Sequence, residues 1–244
     1  MSNFVYMSGT GNDFIVGDYI GDVSDIQIIA LVSDSEIDVD GVIFVEKLNS
    51  KEVKMHYFNN DGTKAELCVN GVRCTAKYAL DNDLVDSDKF FVLAPIGSIP
   101  VSIYENIVEI EAPIPIYDNN PISIGNLKGI ASTVGNPHFL IEVDSVKDID
   151  LPKLNRDVVA SGYFPQGVNI EIYQVLENNF INARVYERGV GETDACGSGA
   201  LCMFNYLYKE KLIDSEGIIN YPGGDISLRF ENEKLYLSGE VRYL

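Results

Sequence analysis

Two stretches hold the residues best suited to chemistry. "ELCVNGVRCTAKY", residues 66–78, and "DACGSGALCMFNY", residues 194–206, superpose without a gap. Cys68 falls on Cys196, Gly71 on Gly199, Cys74 on Cys202 and Tyr78 on Tyr206, and these are the chain's only 4 cysteines. Gly71, Cys74 and Tyr78 are spaced i, i+3, i+7, one stripe of a helix. Cys74 and Cys202 therefore read as packing residues, in keeping with the burial common to cysteine. Cys68 and Cys196 differ, because each lies where a turn ends and a helix begins. The first amides of a helix lack partners and carry partial positive charge. A thiol placed there is expected to acidify from about 8.5 into a range of roughly 3.5–7.5. The residues that follow, "VNG" and "GSG", leave amides for a carboxylate.

A thiol and a carboxylate grip, built twice, fit one kind of reaction. Racemisation removes a proton from one face of a tetrahedral carbon and returns one to the other. If the two halves of the chain face each other, the two thiols flank one carbon, thiolate as base and thiol as acid. The paired helix starts stabilise the enolate character that develops on the carboxylate. Zinc is the competing use of such cysteines. Structural zinc favours two to four residues between ligands, and five intervene here in both copies. Six positions along a helix also set the two sulfurs about 120° apart, which is poor for chelation. A Cys68–Cys196 disulfide could form in air and would inactivate such a site. No cofactor site is evident, and none is expected.

The elements that must position these residues are mostly strands. Short β-branched and aromatic runs, from "NFVYMS" through "DFIVGD", "GVIFVEKL" and "EVKMHYFN" to "LYLSGEV", are bounded by Gly, Asn, Asp or Pro. Helices are expected at about 24–33, 68–82, 150–161 and 196–211 from their periodicity and caps. The pattern is α+β: two pseudo-symmetric domains, each a mixed or antiparallel sheet rolled around a central helix. The repeat extends beyond the helices, since "GTGNDFIV" is similar to "TVGNPHFLI" and "FNNDGTKAEL" to "YERGVGETDA". The expected halves are 1–114 and 115–234, with the final strand, 235–244, a candidate to join the first. "EAPIPIYDNNPISIG", 111–125, holds three prolines and reads as the linker.

Composition bounds the partners. With 244 residues, 46% hydrophobic and 23% charged, the chain is of ordinary globular make-up. Its apolar runs fall far short of a membrane span, and "MSNFVYMSG" has no signal-peptide pattern. A cytoplasmic location is expected. A net charge of −19 argues against nucleic acid and against an acidic membrane surface as partners.

Five motifs, "MSGTGNDF", "FNNDGTKAELCVNGVRC", "VGNPHFL", "GVNIEIY" and "ARVYERGVGETDACGSGALC", resemble the diaminopimelate epimerase family. The resemblance runs in order from residue 6 to residue 202. The resemblance implies a cofactor-independent isomerase of lysine and peptidoglycan precursor synthesis, acting on a small amino-acid substrate and forming a homodimer. It implies that Cys68 and Cys196 are the acid/base pair, assisted by His138 and Glu187. Val69, Asn70, Gly197 and Ser198 would meet the reacting end of the substrate. Asn12, Asn59, Asn136, Asn169 and Arg188 would hold its other polar groups, Arg188 as a planar fork for a distal carboxylate. Three departures touch the substrate. Val69 stands where the family has glycine, Gly41 falls where a glutamine is expected, and the final Gly-Pro-Ala reads Gly239-Glu240-Val241. A racemase of another amino acid, such as histidine, and a non-catalytic amino-acid-binding protein on the same fold are the alternatives.

Overall fold

The computed structural model describes residues 4–64 and 68–244. The start of "NFVYMS" and the Glu66-Leu67 end of the first cysteine turn lie outside the described residues. The chain divides into two compact units, one of Met1–Glu111 with Ser238–Leu244, the other of Ala112–Leu237.

The first unit carries β1 (Val5–Gly9), β2 (Asn12–Asp18), α1 (Asp25–Ser33), β3 (Gly41–Asn49), β4 (Glu52–Asn59), α2 (Val69–Asp81), β5 (Lys89–Ala94), β6 (Gly97–Tyr104) and β7 (Ile107–Ala112). The β1–β2 hairpin turns through Thr10 and Gly11, both at positive φ; Gly11 is the position that meets this at no steric cost. Strand β2 then runs parallel to β3, β3 antiparallel to β4, β4 parallel to β5, and β5 antiparallel to β6. Alternation sorts the side chains by face. Ile15, Val42, Phe44 and Phe58 pack with Ile28 of α1. α2 contacts β1 through β6, and its residues from Val69 to Ala76 are all buried. It is the unit's central helix.

The second unit repeats this plan with β8 (Ile116–Tyr117), β9 (Ile122–Ile124), β10 (Leu127–Thr133), β11 (Pro137–Glu142), α3 (Leu151–Ser161), β12 (Asn169–Val175), β13 (Phe180–Glu187), β14 (Gly191–Thr193), α4 (Gly197–Lys209), β15 (Glu216–Tyr221) and β16 (Gly224–Glu231). Its pairings follow the same alternation: β10–β11 antiparallel, β11–β12 parallel, β12–β13 antiparallel, β13–β15 parallel, β15–β16 antiparallel. Leu151, Leu154 and Val158 of α3 cover Phe139, Ile141, Ile170 and Ile172. α4 packs on β8, β11, β12 and β16. The last strand, β17 (Lys234–Tyr243), pairs its end with β1 through Met7↔Tyr243 and Gly9↔Val241.

The α+β architecture with one buried central helix per unit is therefore the observed fold. The proline-rich stretch expected as the linker holds the division between the two units, at Glu111 and Ala112, and carries structure of its own. It forms β8 and β9, which pair with β10, and Asn205 of α4 donates to the Pro115 carbonyl at 3.0 Å. Its prolines fall outside both short strands, where no ladder amide is lost.

Candidate active site

The registers of the two units match position by position. Phe14 pairs with Gly41, and Gly41 with Asn59. In the second unit His138 pairs with Asn169, and the Ile170↔Tyr186 register carries the ladder on to Glu187. The helix starts match as closely. Cys68 is the N-cap of α2, with φ −130 and ψ 102, and its sulfur accepts from the Gly71 amide at 3.3 Å. Cys196 is the N-cap of α4, with φ −135 and ψ 108, and accepts from the Gly199 amide at 3.4 Å. A thiol in place of the usual Ser or Asp is a weak cap. What a cysteine adds at that position is a proton that can move.

In the first unit Cys68 is half-buried and Val69 behind it is buried. Asn70 donates to Asn12 Oδ1 at 2.6 Å, and Asn12 donates to Asp40 Oδ2 at 3.2 Å. Asp40 also accepts the Asp13 amide. Arg73, fully buried on α2, donates to Asn70 Oδ1 and Thr10 Oγ1, both at 2.7 Å, and to the Glu240 carbonyl at 3.1 Å. Among the described residues its Nε has no hydrogen-bond partner. Burial pulls the guanidinium down to about 10. Asn59 serves the next turn, donating to Thr63 Oγ1 at 2.9 Å.

The second unit gathers more. His138, Glu171 and Cys196 are all buried and present ligand-type atoms within 4.8 Å of one another. His138 Nδ1 lies 3.2 Å from Glu171 Oε1 and its Nε2 lies 3.2 Å from Asn136 Oδ1. Asn136 donates to Ser198 Oγ at 3.4 Å, and Ser198 Oγ lies 3.4 Å from the Cys196 sulfur. Tyr221 donates its hydroxyl to Glu171 Oε2 at 3.2 Å. Glu187 accepts from Thr193 Oγ1 at 2.6 Å. Gly197 and Ser198 form the buried first turn of α4.

The electrostatics correct one expectation. The Cys196 thiol is pushed well above its ordinary value. Burial is the largest cause, then the charges of Glu187 and Glu171. The Ser198 hydroxyl and the Gly199 amide pull it down, but not enough. A helix N-terminus lowers a thiol, but here burial and two carboxylates outweigh it. Cys202 is raised to about 12 by burial, as suits a packing residue.

Two expected ligand residues also make contacts within the second unit. Asn169 Oδ1 accepts the Arg188 amide at 2.8 Å and so ties β12 to the turn after β13. The Arg188 side chain lies over Gly167 and donates to the Gln166 carbonyl at 3.3 Å. It lines a cavity of about 330 Å³ with Phe164, Tyr186 and Val190. Glu171, Tyr221 and Arg73 were not singled out in the sequence. "NIEIY" reads only as part of a strand, and it takes the packing of α4 to show that its Glu171 is buried.

Solved structures of the same fold include a phenazine biosynthesis protein of the PhzF family from Enterococcus faecalis. It has a TM-score of 0.78 at 14% identity, covering 100% of this chain and 97% of that one. A hydroxyproline epimerase from Agrobacterium vitis has a TM-score of 0.69 at 11% identity, with 100% and 90% covered. These likenesses define the class as a two-unit α+β protein of the PhzF and epimerase fold. The family model for diaminopimelate epimerase matches residues 4–112 and 130–244. The diaminopimelate epimerase of Thermotoga maritima is 35% identical over 206 residues, 84% of each chain. That of Brachyspira hyodysenteriae is 30% identical, covering 99% of this chain and 96% of its own. The chain belongs to the diaminopimelate epimerase family and is an isomerase.

Proposed function

We propose that this protein interconverts the L,L and meso forms of diaminopimelate without a cofactor, by proton transfer between the substrate α carbon and two cysteines. The observation that supports this most is the doubled helix start. Each unit offers a cysteine N-cap of the same backbone geometry, sulfur bonded to the amide three residues on. Cys68 acts on one face of the α carbon and Cys196 on the other. Burial among Glu171 and Glu187 keeps the Cys196 proton in place. In the resting protein Cys196 is therefore the acid and Cys68 the base. His138 and Glu187 assist; Val69, Asn70, Gly197 and Ser198 meet the reacting end. Asn12, Asn59, Asn136 and Asn169 orient the substrate, and Arg188 takes the distal carboxylate through its planar fork. The enzyme is cytoplasmic and works as a homodimer.

One observation keeps a second substrate in view. Position 41 has no side chain, and an added Cβ there would collide with the Phe58 carbonyl, while Asp40 is engaged with Asn12. A histidine or other single amino acid is the second reading. Incubation of the protein with L,L-diaminopimelate, L-histidine and other amino acids in deuterated water separates the two. The substrate alone should exchange its α hydrogen for deuterium. Exchange on histidine and not on diaminopimelate would overturn the first reading. Full exchange by Cys196→Ala would overturn the two-thiol mechanism.

A further inference from the structure

The matched registers of the two units allow one to serve as a control for the other. Where the second unit buries His138, Glu171 and Tyr221, the first unit places Phe14, Ile43 and Ala94. The equivalences follow from the ladders. Phe14↔Gly41 corresponds to His138↔Asn169. Ile43 and Glu171 each stand two residues beyond. Ala94↔Gly97 corresponds to Tyr221↔Gly224. All six residues are buried. Under the two helix starts, a Cβ added at Gly71 would meet the Ile43 Cδ1 methyl, whereas one added at Gly199 would collide with the Glu171 carboxylate. The backbone plan thus accepts a wholly apolar filling at this site. Apolar groups of similar shape often replace buried charged ones with no loss of stability.

From this contrast we infer that Glu171 is a positioning residue of the acid/base site. Held from behind by the Tyr221 hydroxyl and packed on the first turn of α4, it fixes the ring and the proton of His138 beside Cys196. A carboxylate accepts only, so the ring nitrogen facing it must carry hydrogen. Glu171 Oε1 therefore places a proton on His138 Nδ1. Tyr221 occupies Oε2, which leaves Glu171 a single orientation. The role of such partners in fixing the tautomer of a working histidine is general. The inference rests on the proposed acid/base role of Cys196, but its first test does not.

The chain has 2 histidines, so ¹⁵N-histidine labelling gives two ring systems, and His56→Gln assigns them. His138 should show a protonated Nδ1 in the otherwise unaltered protein. Glu171→Ile, which installs the first unit's residue, should leave Nδ1 without hydrogen, while Nε2 keeps the hydrogen that faces Asn136 Oδ1. It should also lower kcat for α-hydrogen exchange by about 10-fold or more with KM within about 2-fold. Glu171→Gln keeps an accepting oxygen and should restore both the Nδ1 proton and part of kcat. An unprotonated Nδ1 in the unaltered protein overturns the inference without any variant. So does Glu171→Ile with Nδ1 still protonated and kcat unchanged. If the unaltered protein exchanges no amino acid, the reaction proposed above fails, while the ring proton still decides the place of Glu171.

Discussion

At the scale of single residues, the two N-cap cysteines share a backbone and differ in surroundings. Cys68 is half-buried beside the Asn70–Asn12 chain, and Cys196 is 5% exposed between two carboxylates. Brief iodoacetamide treatment at neutral pH should therefore label Cys68 well ahead of Cys196, Cys74 and Cys202, as peptide mass mapping would show. Equal labelling of Cys196 would contradict the charge environment described for it. The two glycines beneath these caps should also separate. Gly71→Ala gains helix propensity of about 1 kcal/mol and meets the flexible ends of Met55 and Ile43 and, in ordinary van der Waals contact, the Cys68 sulfur, so its melting temperature should hardly move. Gly199→Ala meets the Glu171 carboxylate and should lose about 1–3 kcal/mol by overpacking, read by urea unfolding. The sequence pairs these glycines as equals. Their difference comes from residue 43 against residue 171, far along the chain.

At the scale of elements, the helices were legible because their signals are local. Ser24 caps α1 with Gln27 in a reciprocal box, and Asp150 caps α3 ahead of Pro152, which ends at Gly162 with φ 72. Strands β2 to β7 were equally legible from alternation. The short strands β8, β9 and β14 were not. Two or three residues carry no periodicity, and prolines around β8 and β9 read as linker until β10 offers them a ladder. Cysteine as a cap gives a test that belongs here. Cys196→Ser should keep α4 capped, since a hydroxyl accepts the Gly199 amide at least as well. Stability should stay within about 1 kcal/mol by circular dichroism melts, while α-hydrogen exchange is lost. A serine variant that is unfolded would show that the sulfur's packing, and not its proton, holds the helix start.

At the scale of the whole molecule, charge and buried acids set the response to solution conditions. A net charge of −19 makes self-repulsion a general cost, so added salt in the range that shortens the Debye length should raise the melting temperature. Alkali should act in the opposite direction. Cys202 keeps its proton up to about 12 when folded, against 9.0 when free, chiefly because it is buried. The unfolded chain therefore binds fewer protons between those values. The stabilisation is complete below about 9 and is lost as pH climbs toward about 12, at up to ~1.4 kcal/mol per pH unit for one group. Cys196, Cys74 and Tyr221 are raised in the same sense. Urea midpoints at successive pH values should fall above about 9, and less steeply for Cys202→Ala.

By itself the sequence determined what is carried by spacing and type: the doubled cysteine caps, the four helices, the period-2 strands, and the family through five ordered motifs. Contacts local in the chain leave a readable trace because neighbouring residues must satisfy one another's amides and faces. The tertiary structure alone decided which strand faces are covered on both sides. That placed Glu171 and Tyr221 behind His138, set Arg73 in a dry polar network with Thr10 and Glu240, and raised the Cys196 thiol where a helix start alone would have lowered it. Desolvation and through-space charge depend on residues tens of positions apart, and no local pattern records them.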